Sequence, residues 1–329
     1  MNDSALRLAS DRYLEIMRSS RIPILGLFAE SIREDELLLL PRALRRTFRT
    51  ALRIPRSLFM SAGAERDRYV YDTLTRWARK ICRLCHVRLE VSGEARLDPG
   101  RTYLFVANHQ SPADILALYA ALPVRAAFVS SSVMSGIPVF SYWMRKSGAV
   151  FVEQGDRGGE MAALKSMVRR LKGGRSLILF PEGFMNQGEE LAEFNRGGIF
   201  AAVLARVPIV PVFIGGTSEV MRTGTLRIAP RRRVAVEFGE PMDVSVLGRA
   251  ARDALAESLR DRITRMKDTA RGAERPGLTP AAARPDSYPR GSILRDSCGD
   301  NPGGSPRQDR REPRARSAWR SACDTCRSR

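Results

Sequence analysis

The sequence predicts an α/β fold: a mostly parallel central sheet covered by helices, with N-terminal amphipathic helices before it and a disordered C-terminal tail after it. Three observations predict this. Between about residues 85 and 245, short apolar, β-branched runs alternate with helical stretches, the pattern of a sheet buried on both faces. Residues 1–84 show no strand-like alternation and are broken by Pro23, Pro41 and Pro55. From about residue 272 the chain turns to Pro, Gly, Ser and Arg with almost no periodicity, which reads as disorder.

The segment between Pro41 and Pro55 sorts its charge by face. At about 100° per residue, Leu44, Phe48, Ala51, Leu52 and Ile54 fall in one half of the wheel, and Arg42, Arg45, Arg46, Arg49 and Arg53 fall opposite. A basic face beside an apolar one suits an interfacial helix on an anionic membrane surface, so these five Arg are the candidate membrane-binding residues. The competing reading is a surface helix packed on its own domain with solvated Arg. Seven strands are expected in the middle region, at Val87–Val91, Tyr103–Ala107, Ala126–Val129, Gly148–Val152, Leu177–Phe180, Ile209–Ile214 and Val234–Phe238. Met161, Leu164, Val168 and Leu171 recur at helical spacing between two of them, and no internal repeat is visible. Leu247, Ala251, Leu255, Leu259, Ile263 and Met266 then mark a single amphipathic segment. The expected organisation is therefore 1–84 helical and membrane-docking, 85–245 the main domain, 246–271 a C-terminal amphipathic helix, and 272–329 a basic tail.

Composition narrows the class. The 329 residues carry 55 Lys and Arg against 36 Asp and Glu, a formal charge of +19. Only five of the 55 are Lys, and Arg is the better partner for phosphate because its planar fork binds two oxygens at once. The excess points to an anionic membrane surface or nucleic acid, or to a coding bias toward Arg. Five Cys exclude a disulfide scaffold, and no run of about 18 apolar residues marks a transmembrane helix. The first 20 residues lack the apolar core of a signal peptide, so a cytosolic chain is expected, at the cytoplasmic face of a membrane as a peripheral or monotopic protein.

With only two His, each is informative. His86 follows Cys82 and Cys85 with the spacing of a c-type haem attachment, but that chemistry needs export, and the two Cys fit equally as small core residues. Joining Cys323 and Cys326 to them in a zinc site requires the tail to return, so no metal and no cofactor is expected. His109 ends a strand and Asp114 follows five residues on. A carboxylate on one imidazole nitrogen fixes the tautomer and leaves the other nitrogen free to take a proton. Ser111, Pro112 and Asp114 also suit the N-cap, first and third positions of a helix, a role compatible with catalysis.

Asn108-His109 with Asp114, then Phe180-Pro181-Glu182-Gly183, then Val207-Pro208-Ile209-Val210-Pro211-Val212 occur in this order. This resembles the glycerolipid acyltransferase family that includes the bacterial 1-acylglycerol-3-phosphate acyltransferases. Gly136–Val139, Phe194–Gly197 and Phe238–Pro241 also look like that family, and the resemblance covers about residues 85–245. It implies a glycerol-3-phosphate acyltransferase-like fold and a catalytic pair of His109 as general base and Asp114 as its orienting partner. An acceptor hydroxyl would attack an acyl thioester, from acyl-CoA or acyl carrier protein, with no acyl-enzyme; no Gly-x-Ser-x-Gly elbow is present. The acceptor implied is a lysophospholipid, foremost 1-acylglycerol-3-phosphate, giving phosphatidate. Asn108, Glu182, Gly183, Pro208 and Pro211 are carried over as substrate-binding positions, with a buried structural carboxylate as the other reading of Glu182. Backbone N–H groups of the 109–114 turn are candidate donors to the oxyanion.

Two positions depart from the family pattern. The second motif ends in Arg, whereas Phe151-Val-Glu153 is followed here by Gln154; the third motif continues Thr-Arg-Ser, whereas here it reads Phe184-Met185-Asn186. Both changes remove groups that grip a phosphate monoester. Either Arg157, Lys146 and Arg196 substitute, or the acceptor is a lyso-aminolipid or a phosphodiester lysolipid. A nucleic-acid-binding protein, resting on the charge and on Arg231–Arg233, is the reading of another class, but no nucleic-acid motif accompanies it and no specific nucleic acid is expected. A catalytically inactive lipid-binding relative is the third.

Overall fold

The computed structural model describes residues 39–51, 59–60, 63–136, 138–188, 190–223 and 228–273. Arg53 and the tail with Cys323 and Cys326 lie outside the described residues. Seven strands form one sheet: β1 (Arg88–Ser92), β2 (Leu104–Ala107), β3 (Ala126–Ser131), β4 (Val150–Val152), β5 (Ser176–Leu179), β6 (Ile209–Gly215) and β7 (Arg233–Phe238), in the order β1-β7-β6-β2-β5-β3-β4. All neighbours are parallel except β6 and β7, which run antiparallel. Each expected strand is present, with ends shifted by at most two residues.

Side chains alternate across the sheet, as a two-residue period requires. Tyr103, Phe105 and Ala107 of the β2 segment face one core with Ile178, Val210, Val212 and Ile214; Leu104 and Val106 face the other with Leu177, Leu179, Ile209 and Phe213. The first core is closed by α2 (Ala64–Leu84), α3 (Ala113–Ala121) and α4 (Pro138–Ser147), the second by α5 (Arg157–Lys172), α6 (Arg196–Ala205) and, after the short α7 (Thr217–Val220) and α8 (Arg249–Asp253), by α9 (Leu255–Ala273). Chain leaving β2 thus passes to one face and chain leaving β5 to the other. The carboxyl ends of these adjacent strands are the usual ligand position in an open parallel sheet.

Two helical expectations need correction in detail. The segment over 246–271 is two helices, not one: a break at Ala254 changes the phase, so Ala251 is exposed while Leu255, Leu259 and Ile263 are buried. The Arg-bearing helix is α1 (Leu39–Ala51), and it takes in Pro41, whose missing N–H costs nothing in a first turn. Arg42, Arg45, Arg46 and Arg49 are all exposed. Ala43 is buried, and Thr47 Oγ1 accepts a 3.1 Å hydrogen bond from Trp77 Nε1 of α2, so this helix packs on its own domain by the stripe holding these two residues.

Candidate active site

The site grows from the ends of β2 and β5. Asn108 is wholly buried directly after β2. Its Nδ2 donates to the Ile214 carbonyl at 2.9 Å and its Oδ1 accepts the Ile214 N–H at 2.8 Å. The side chain extends the β2–β6 ladder by one step while the main chain turns away. His109 then stands clear of the sheet, held at both of its backbone groups by the loop after β5. Its N–H donates to Glu182 Oε1 at 2.9 Å, and its carbonyl accepts the Asn186 N–H at 2.7 Å.

The imidazole is fixed at its edge and its face. Nδ1 lies 2.7 Å from Asp114 Oδ2, and the same oxygen accepts the N–H of Gln110 at 2.7 Å and of Ser111 at 3.0 Å. An oxygen already drawing two N–H donors is an acceptor toward Nδ1 too, so Nδ1 carries a ring hydrogen, and in the neutral tautomer the lone pair falls on Nε2. Phe180, the first residue after β5, stacks on the ring with centroids 4.0 Å apart and planes 10° from parallel. Asp114 is 0% exposed and the His109 side chain 16%, so the pair presents one ring edge to solvent and hides its carboxylate.

The capping reading holds alongside this pairing. Asp114 reaches back to the Ser111 N–H as in a capping box, while Ser111 Oγ accepts the Ala113 N–H at 3.1 Å and the Ser111 carbonyl takes the Asp114 N–H. Regular helix begins at Ala113, with Pro112 already helical at φ −57° and ψ −23°. The expected oxyanion donors are not free, however. In this turn the N–H groups of His109, Gln110, Ser111, Ala113 and Asp114 all have partners, and Pro112 has none to give.

Glu182 is a buried residue whose carboxylate faces inward. Oε1 takes the His109 N–H, while Oε2 takes Asn186 Nδ2 at 2.9 Å and the Ala192 N–H at 3.0 Å. Gly183 turns the chain at φ +77°, a conformation that suits Gly because it lacks a Cβ. Its carbonyl accepts Gln154 Nε2 at 3.1 Å, so the residue standing where the family has Arg ties the loop after β4 to the turn after β5.

The remaining candidates lie on the flanking helices and in or beside β6. Arg157 and Arg196 are exposed first residues of α5 and α6, whose N-caps are Asp156 and Asn195. Pro208 precedes β6 at the amino end of the strands, the end opposite His109, and its carbonyl accepts the Leu104 N–H at 3.0 Å. Pro211 lies inside β6 in register with Val106. Cys82 and Cys85 are buried free thiols; burial pushes the first up to about 12 and the second to about 11, while His86 is exposed. Among the described residues, no group of three His, Cys, Asp or Glu side chains converges as a metal site.

Sequence reasoning missed Phe180 and Asn186 as parts of this geometry. Phe180 stands in a quoted motif, but nothing local shows that its ring meets one 71 positions earlier. Asn186, noted only as a departure from Thr-Arg-Ser, clasps Glu182, Glu190 and His109 together.

Residues 88–215 match the acyltransferase family. The chain is 31% identical over 193 residues to a lyso-ornithine lipid O-acyltransferase of Pseudomonas aeruginosa, covering 54% of this chain and 72% of that one. It is 32% identical over 159 residues to the chloroplastic 1-acyl-sn-glycerol-3-phosphate acyltransferase LPAT1 of Arabidopsis thaliana, covering 47% and 44%. The chain thus spans under half the length of that plastid relative. The crystal structure of the 1-acyl-sn-glycerophosphate acyltransferase PlsC from Thermotoga maritima superposes with a TM-score of 0.60 at 24% identity, over 70% of this chain and 96% of that one, and shares its fold.

Proposed function

The chain belongs to the acyltransferase family, and we propose that it moves an acyl group from a thioester, acyl-CoA or acyl carrier protein, to the hydroxyl of a lysolipid in phospholipid synthesis. The observation that carries this reading is the His109–Asp114 contact of 2.7 Å just beyond the carboxyl end of β2, which in the neutral imidazole leaves Nε2 as the proton-accepting edge. In the reaction, Nε2 takes the proton of the acceptor hydroxyl as its oxygen attacks the thioester carbonyl. The resulting imidazolium faces the Asp114 carboxylate, which stabilises it. The tetrahedral intermediate then collapses by breaking the C–S bond, and the imidazolium returns its proton to the departing thiolate. Asn108 and Glu182 act in this scheme as positioning residues, since their polar atoms already engage protein groups.

The first acceptor reading is 1-acylglycerol-3-phosphate, supported by its sequence relatives. A second is favoured by one observation: the neutral Gln154 amide is bonded to the Gly183 carbonyl where the family carries a phosphate-gripping Arg. That exchange suits a lyso-aminolipid, the class named for the Pseudomonas relative. The exposed Arg42, Arg45, Arg46 and Arg49 of α1 support docking at an anionic, cytoplasmic-side membrane surface. No described helix is long and apolar enough to cross a membrane.

The test is transfer of labelled acyl groups from both donors to lysophosphatidate, a phosphodiester lysolipid and a lyso-aminolipid, presented in anionic or neutral vesicles. Transfer abolished by His109→Ala in a folded protein is expected. Full turnover in that variant refutes the base. Arg45, Arg46 and Arg49 changed together to Glu should lose binding to anionic vesicles far more than to neutral ones; equal loss refutes the docking face.

A further inference from the structure

His109 is gripped at its edge by Asp114 and at its backbone by Glu182 and Asn186, but these bonds leave rotation of the ring plane unopposed except along the Nδ1 direction. The face is held by something else. Phe180 lies parallel to the imidazole at 4.0 Å, and Phe128 lies behind Phe180 at 5.8 Å and 23°. Phe128 in turn meets Tyr119 edge-on at 5.1 Å and 75°, and Tyr119 meets Tyr71 at 6.4 Å and 67°. Tyr71 anchors the row through a 2.7 Å hydrogen bond from its hydroxyl to the Val124 carbonyl. Phe128 and Tyr119 are buried in the core, so the ring that touches His109 is backed by a close-packed aromatic row drawn from β3, α3 and α2.

Such a face does more than fill space. The π face of an aromatic ring is electronegative, so it attracts a flat cation laid on it and attracts the neutral form much less. The imidazole is neutral before the reaction and cationic while it holds the acceptor proton. An interaction that strengthens with that charge lowers the barrier rather than merely tightening binding. A stack of 10° tilt also keeps Nε2 in the plane set by Asp114, so the lone pair stays aimed outward.

We propose that Phe180 is a positioning residue of the acyl-transfer base, locking the His109 ring plane and stabilising the imidazolium through its face. The proposal rests on His109 being the base, and its experiment is chosen to fail separately from that reading. The variants are Phe180→Leu and Phe180→Met, which keep an apolar side chain without a ring, and Phe180→Tyr, which restores the face. The first readout needs no turnover. With only two His in the chain, imidazole C–H signals are assigned by the one that His109→Ala removes. The stacked His109 signal should lie upfield of the exposed His86 signal in the native chain and in Phe180→Tyr, and move toward it in Phe180→Leu and Phe180→Met.

The second readout is steady-state transfer. Loss of the face should lower kcat about 5- to 30-fold in the Leu and Met variants, with KM within about twofold, and Phe180→Tyr should recover most of it. A His109 signal unmoved by Phe180→Leu, or a loss of rate carried by KM, or failure of Phe180→Tyr to rescue, overturns the role of Phe180. If His109→Ala keeps its turnover, the base reading itself falls, whatever Phe180 does.

Discussion

Replacing Asp114 by Asn separates the charge of this side chain from its shape. The native oxygen receives Nδ1 of His109 at 2.7 Å and the N–H groups of Gln110 and Ser111 at 2.7 and 3.0 Å, with the residue wholly out of contact with water. An Asn oxygen in the same place keeps three hydrogen bonds and loses the charge that faces the imidazolium. Two unit charges at this 2.7 Å separation attract by about 1.5 kcal/mol in water and about 6 kcal/mol at an effective dielectric of 20. A His109 side chain 16% exposed lies between those limits, so kcat should fall about 10²- to 10⁴-fold.

Asp114→Ala adds a second effect, because it leaves two backbone N–H groups of the turn without acceptors and removes half of the capping box. Each orphaned group costs about 1–2 kcal/mol, so the Ala variant should melt about 5–10 °C lower while the Asn variant stays near the native Tm. The assay is transfer at saturating donor and acceptor, with thermal unfolding of all three proteins. A folded Asn variant turning over within about threefold of the native enzyme refutes the electrostatic argument. Equal melting of the Asn and Ala variants refutes the cap.

Two other outcomes follow from the fold. Gly93 sits at φ +80° after β1, and a Cβ there would lie 1.9 Å from the Phe238 carbonyl oxygen of β7, so Gly93→Ala should destabilise by about 3 kcal/mol or more and lower Tm by at least about 6 °C; a native Tm contradicts the close approach. Cys82 and Cys85, raised to about 12 and about 11 by burial, hold almost no thiolate at pH 8, so iodoacetamide should leave their peptides unmodified in folded protein and label them after denaturation; rapid native labelling would show accessible thiols.

Much of this molecule was legible from local pattern. Strand positions follow from apolar, β-branched runs because a strand buried on both faces must be apolar along its length. The meeting of His109 with Asp114 is equally local: five residues at a strand-to-helix turn return a third-position carboxylate to the turn it caps. Position along the chain does not report partners in space. Nothing in Arg233–Phe238 says that it enters between β1 and β6, parallel to one and antiparallel to the other, since pairing is decided by which edges remain open once the crossovers are laid.

The break at Ala254 was invisible to a periodicity that tolerates a phase slip, because α9 takes its phase from the sheet face it covers. The same limit governed the site. Sequence alone determined that a His and a carboxylate share one turn at the end of a buried strand, and that the groups expected to grip a phosphate are exchanged for Gln154 and Phe184-Met185-Asn186. Only the tertiary structure decided that Glu182 points inward, that every N–H of the 109–114 turn is already bonded, and that an aromatic row backs His109. The physical reason is saturation: a polar atom's role depends on whether its hydrogen-bonding capacity is already used, and the turn uses four of its N–H groups on its own side chains and carbonyl while the fifth, that of His109, is taken by Glu182, 73 positions along the chain.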